Sequence, residues 1–422
     1  MHEIIKYFEQ LTKIPHCSHK TKALETFLVN FATQRGYDTQ IDNIGNILIS
    51  KNDAKICLQA HYDMVCVGKA PQIDTQIVDG WMRAKDSTLG SDNGIGVAMM
   101  MALMDEGRAC EFLFTNDEEV GLIGANGLNF ELKSQYMLNL DSEDEGEVYI
   151  GCAGGVDIFA EKTYMHDLCE KQFYEISISN LPGGHSGVQI DENIPNAIKL
   201  FAQYCQDKDI KITTIKAGER INSIPANLKA IVASDEILPI CENINIEKIT
   251  KKYETIKNSK DLIYLLCSFS HGVIKMNETL GIPDQSINLA QLSLENGICK
   301  ISTSARAMDN HDLSKIEKNT RDFFHKFGFD VKSEGKYPAW KPEVNIFSKI
   351  VAKEVEKIFN HVSYKAIHAG LECAVISNLY PNIKIASIGP NILSPHSIGE
   401  CVEIASVLKV YEVVKNVINE CE

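Results

Sequence analysis

Lys55-Ile56-Cys57-Leu58-Gln59-Ala60-His61-Tyr62-Asp63 is the stretch on which the fold turns. An apolar run climbs to a histidine, and a carboxylate follows two residues later. The segment 55–67 reads as one strand, whose period of two places His61 and Asp63 on the same side near its end. Downstream, Ser91-Asp92-Asn93-Gly94 opens an apolar helix over 91–106, with Gly107 just beyond it. A strand over 111–115 leads into Asp117-Glu118-Glu119, and another over 135–140 ends at Asp141. Upstream, 2–36 carries helical periodicity in two pieces broken at Pro15, and 37–50 reads as two short strands around Asn-Ile-Gly. Segment 74–85 is a loop or short hairpin, and 121–129 a short helix or loop. Strands alternating with helices predict an α/β sheet with parallel strands, whose sites lie beyond the carboxyl ends of the strands.

The character changes after about Gly155. Segments 172–179, 211–216 and 228–233 read as strands, and 286–306 holds one or two more. Helices are expected over 193–206, 246–268 and 312–327. From about Pro338 the α/β pattern returns, with a helix over 344–359, a strand over 383–388 and a closing helix over 399–418. The predicted fold is an α/β domain with a mixed, mostly parallel sheet flanked by helices, interrupted by an inserted α+β domain. The boundaries fall at 1–155, 156–337 and 338–422, and there is no internal repeat.

A chain of 422 residues exceeds one ordinary core. Net charge of -15 argues against nucleic acid or an anionic membrane as partner. No apolar run approaches the length of about 20 residues that spans a bilayer. Residues 1–15 form an amphipathic first helix in place of a signal peptide. The 13 cysteines are odd in number and scattered, with no CxxC pair. They read as reduced thiols acting as small buried hydrophobes in a cytoplasm. Cys152 and Cys373, near the candidate site, are included in that reading. The methionines 99–101 and 104 are expected to fill core.

Carboxylate oxygen and imidazole nitrogen suit zinc, manganese or cobalt. Two such ions close together need a shared anionic ligand, and Asp92 in its turn is the natural bridge. His61, Glu119, Asp141 and His396 complete the two shells, and Asp63 holds His61 from behind. Glu118 is left to take a proton from water held at the ions. Singly, each residue has a plainer reading: a helix cap for Asp92, a solvated turn for 117–119, a loop histidine for His396. Their joint occurrence at strand ends and helix starts favours the metal centre.

The residues Leu58–Val65, Gly90–Gly96, Thr115–Gly121, Asn139–Glu143, Gly183–Gly187, Ile367–Cys373 and Ser394–Ser397 resemble the M20 family of co-catalytic metallopeptidases. The resemblance is to its aminoacyl-histidine, or cytosol non-specific, dipeptidase branch. It implies that His61, Asp92 and Asp141 hold one ion and Asp92, Glu119 and His396 the other. Glu118 is then the general base, and Asp63 orients His61. It further implies His185 as an oxyanion-stabilising lid residue, Arg306 and the Ala369-Gly370 backbone as carboxylate binders, and Asn222 as a lid contact. The implied function is hydrolysis of unblocked dipeptides, including Xaa-His, in the cytoplasm by a homodimer with two divalent ions, zinc first. An N-acyl amino acid deacylase or tripeptidase is the alternative on the same scaffold. An inactive metal-bound binding protein is the alternative from another class, and the intact Glu118 argues against it.

Overall fold

A computed structural model describes residues 2–52 and 54–421. The chain divides into two compact units: Met1–Gly151 with Pro342–Ala366 and Leu371–Glu422, and Cys152–Lys341 with Ile367–Gly370.

The first unit is built on an eight-stranded sheet in the order Asp38–Ile41, Ile47–Ser50, Glu111–Thr115, Ile56–His61, Tyr136–Asn139, Lys384–Ser387, Glu147–Cys152, Ser363–Ile367. The four strands from Glu111–Thr115 to Lys384–Ser387 run parallel, and antiparallel neighbours flank them. The strand Ile56–His61 is buried at every position, as a central parallel strand covered on both faces must be. It ends at His61, not near Val67: Tyr62 donates its backbone N–H to Thr115 and Met64 to His16, so the chain leaves the ladder there. Asp63 therefore sits on a loop. The helix Ser91–Asp105 is buried from Asn93 through Met104, and its methionines fill the core. Segment 75–84 is a hairpin that pairs through Trp81–Ala84 with Cys401–Glu403. That short strand precedes the last helix, so the helix begins at Ile404 rather than Gly399.

The second unit carries a nine-stranded antiparallel sheet covered by the helices Ala197–Cys205, Ser259–Ser268 and Asn310–Lys326. Its spine is the hairpin Ile282–Glu295 and Ile298–Ala307. The turn places Asn296 at φ 50° and Gly297 at φ 79°, the left-handed pair that a tight hairpin requires. The helix expected over 246–268 starts only at Ser259. Ile244–Ile249 is instead an edge strand on Gln172–Ile178, turning Ile244 into the core while Asn245, Glu247 and Lys248 meet solvent.

The cysteines depart from expectation at one pair. Cys17 and Cys66, 49 residues apart, form a disulfide with Cα atoms 5.6 Å apart. The loop bearing Cys17 and the loop after Asp63 run side by side, bridged at Cys17 and Met64, which brings the sulfurs together. The other eleven stay outside any disulfide, and Cys152 and Cys373 are buried. No described helix is long and apolar enough to cross a membrane.

Candidate active site

The parallel strands of the first unit deliver their side chains at one edge of the sheet. His61 is the last residue of its strand, and Asp141 lies two residues past Asn139. Glu118 and Glu119 follow Thr115 by three and four. Asp92 arrives from the first turn of its helix, where its φ and ψ of -87° and 106° are not helical and the Asp92–Asn93 bond is cis. Gly90 makes that turn possible: its φ is +75°, and a Cβ there would meet Met64 Sδ at 2.9 Å.

The resulting geometry centres on Asp92. Its Oδ1 lies 3.0 Å from His61 Nε2 and its Oδ2 lies 3.0 Å from His396 Nε2. Asp141 Oδ1 is 3.3 Å from His61 Nε2, and Glu119 Oε2 is 2.9 Å from His396 Nε2. Two groups, His61-Asp92-Asp141 and Asp92-Glu119-His396, thus share Asp92 and each have donor atoms within 4.8 Å of one another. Glu118 falls with His61 and Glu119 in a third such group.

The cluster is rich in negative charge. Burial pushes the Glu118 carboxyl well above its usual range, and Asp141, Glu372 and Glu119 add to the push. Burial also raises Glu119 and Asp141. Contacts with Asp92 and Glu119 lift His396 to about 11. Burial opposes a charged His61, yet Asp141, Asp63 and Asp92 outweigh it and raise its pKa. Anions gathered this way call for cations, and the nitrogen and oxygen donors suit zinc, manganese or cobalt. Glu119 Oε1, buried without a hydrogen-bond partner among the described residues, is a further free donor atom.

Asp63 lies beside His61, as a residue orienting that ring would, and makes further contacts. His61 Nδ1 lies 3.0 Å from the Asp63 backbone carbonyl and 3.6 Å from its carboxylate. The carboxylate also accepts from Ser18 Oγ at 2.8 Å and from the backbone N–H groups of Glu118 and Glu119 at 2.9 and 3.4 Å. It fixes the turn that presents those two glutamates.

The second unit gathers another set. Arg306 is buried, and Nη1 donates to Tyr337 Oη at 2.7 Å, while Nε has no partner among the described residues. Gly370 lies against the same tyrosine ring. His185 Nδ1 accepts from the N–H groups of Gly187 and Val188 at 3.1 and 3.3 Å. Burial and the charge of Arg306 lower its pKa, so the ring is neutral with its proton on Nε2. Asn222 is exposed on the neighbouring strand turn, its carbonyl accepting from Ser186.

The chain is similar to known proteins along nearly its whole length. The cytosol non-specific dipeptidase of Escherichia coli (strain K12) is 30% identical over 458 residues, covering 95% of this chain and 93% of that protein. The chain belongs to that family, the dipeptidase branch of the M20 peptidases. It is therefore a peptide hydrolase. Aminoacylhistidine dipeptidase from Vibrio alginolyticus has the same fold with a TM-score of 0.88 at 29% identity, over 99% of this chain and 96% of that one. A tripeptidase from Staphylococcus aureus shares the fold at 16% identity and a TM-score of 0.62, over 99% of this chain and 98% of its own. The model of Peptidase family M28 matches residues 43–169, the segment bearing His61, Asp92, Glu119 and Asp141.

Sequence reasoning missed the residues that hold this site in place. Glu400 is buried and accepts from the backbone N–H groups of Leu89, Gly90 and Ser91 at 2.7, 3.1 and 2.6 Å, and from Ser91 Oγ at 2.7 Å. It clamps the Asp92 turn to the loop of His396. Ser18 and Tyr337 were missed as well. Glu400 lies four residues from His396, the one local hint available.

Proposed function

We propose that the enzyme hydrolyses unblocked dipeptides, Xaa-His among them, with two divalent ions, zinc first, held by His61, Asp92, Glu119, Asp141 and His396. The observation that carries the reading is Asp92, with each carboxylate oxygen 3.0 Å from a different imidazole. When bound, the ions would polarise the scissile carbonyl and acidify water. The chain's own residues do the rest. Glu118, whose burial raises its proton affinity, takes the proton of the attacking water and returns it to the leaving amine. Asp63 orients His61, and its carboxylate keeps Glu118 in place by accepting the Glu118 backbone N–H. Arg306, buried with an unpartnered Nε, receives the substrate's C-terminal carboxylate, with Gly370 beside Tyr337. The Nε2–H of neutral His185 is a donor for the developing oxyanion, and Asn222 is a further contact.

The test combines metal stoichiometry with a substrate panel of Xaa-His dipeptides, other dipeptides, tripeptides and N-acetyl amino acids. Two ions per chain and turnover of free dipeptides are expected. Glu118→Ala should keep both ions and lose about 10²–10⁴ in rate; near-normal turnover would remove Glu118 from its role. Turnover restricted to N-acetyl amino acids would reassign the substrate. Action as a cytoplasmic homodimer is part of the same proposal, and sedimentation checks the dimer.

A further inference from the structure

Glu372, in the first turn of the helix Glu372–Leu379, is fully buried. Its Oε2 accepts from Gln59 Nε2 and from Thr115 Oγ1, both at 2.6 Å. Its Oε1 has no partner among the described residues. A buried carboxyl so unevenly satisfied costs stability, and an apolar side chain of similar size would fill the same space more cheaply. The fold alone gives no reason for it.

The hydrogen bonds leading away from it do. Gln59 Oε1 accepts from Asn139 Nδ2 at 2.5 Å. Asn139 Oδ1 accepts from Ser387 Oγ at 2.5 Å and from the backbone N–H of Asp141 at 3.2 Å. Gln59, Asn139 and Ser387 are paired in register across three adjacent parallel strands. The belt therefore lies two residues below His61 on its strand, on the same face, and two residues before Asp141, which follows the end of the next strand. The side-chain donors step toward Glu372, from Ser387 to Asn139, from Asn139 to Gln59 and from Gln59 to Glu372. Glutamine and asparagine side chains have a donor end and an acceptor end, so something must decide which way they face. Glu372 Oε2, which accepts from both Gln59 and Thr115 at the end of the row, decides it.

We propose that Glu372 is a positioning residue, which orients the Gln59 and Asn139 amides and so fixes His61 and Asp141 for the ion they share. This rests on the two-ion reading above. Conservative removal is Glu372→Leu, which keeps volume and deletes the acceptor. Glu372→Gln keeps an acceptor oxygen for Gln59 and Thr115. Ion affinity is read by chelator competition, and ligand geometry by the visible spectrum of the cobalt-substituted protein.

Glu372→Leu should weaken one of the two ions about 10–100-fold and alter the cobalt spectrum. Glu372→Gln should keep affinity within about threefold of wild type, a rescue that follows if an acceptor oxygen is all the belt requires. Wild-type affinity and spectrum in Glu372→Leu would overturn the proposal, as would equal damage by both variants. Should Glu372→Leu fail to fold, Ser387→Ala at the far end of the belt must weaken the same ion, and an unchanged affinity there overturns it too. A wild-type protein that binds no divalent ion would instead sink the two-ion reading itself.

Discussion

Replacing Glu400 tests whether the Asp92 turn owes its shape to one distant carboxylate. Four groups donate to it at 2.6–3.1 Å: three consecutive backbone N–H groups and the Ser91 hydroxyl. Hydrogen bonds to a charged acceptor are worth roughly 1.5–3 kcal/mol each, and donors left bare inside the protein cost about 1–3 kcal/mol each. Water entering the vacated space would recover part of this, so Glu400→Ala should destabilise the turn by about 4 kcal/mol. Glu400→Gln is not a mild change here. Its amide turns an N–H₂ toward N–H donors, so about half the loss should remain. The assay is hydrogen exchange at the amides of Leu89, Gly90 and Ser91, which Glu400 protects. With about 1.36 kcal/mol per tenfold, Glu400→Ala should speed their exchange about a thousandfold. Divalent-ion affinity should fall with it, because Asp92 loses its fixed direction. Unchanged exchange at these three amides in Glu400→Gln, with ion affinity within threefold of wild type, would refute the reasoning.

Asp92→Asn leaves one acceptor oxygen and no charge between the two histidines, so metal analysis should show about one ion lost per chain; two retained ions would remove Asp92 as the bridge. Serine at Cys17 and Cys66 together should lower unfolding free energy by up to about 4 kcal/mol, the loop-entropy value for a separation of 49 residues. Denaturation with and without a reducing agent checks it, and superimposable curves would exclude the disulfide. Burial lowers the pKa of His271 to about 4 and of His368 to about 3. The unfolded chain takes up these protons near pH 6.5 while the folded chain does not, so this stability is complete above pH 6.5 and drains away as pH falls toward 4. Each histidine adds about 1.4 kcal/mol per pH unit to the slope in that window. Denaturant titrations between pH 4.5 and 7 should show a shallower slope in His271→Gln, and an identical slope would mean the ring is protonated in the fold.

What the sequence made legible follows from how local each signal is. The strand Glu111–Thr115 announces itself through a short apolar run, whereas segment 74–85 is legible only as a loop or short hairpin, of which the hairpin forms. The acidic and imidazole groups at strand ends stand out because chemistry needs those residue types there. The disulfide gave no such sign, since two scattered cysteines become partners only when the loop after Thr12 lies along the loop after Asp63. The edge strand Ile244–Ile249 was absorbed into a helical reading because true helix follows within ten residues, and a strand paired on one side needs only a few inward apolar positions. Glu400 and Glu372 were hidden for a deeper reason. Glutamate in a sequence reads as solvated surface, and these two are buried against donors some 310 residues away. Those donors are backbone amides and side-chain amides, which have no motif because every chain is full of them. Ligands of a metal are chosen by type and can be found by type. The groups that aim the ligands are chosen by where the folded chain leaves a donor without an acceptor, and only the three-dimensional arrangement states that need.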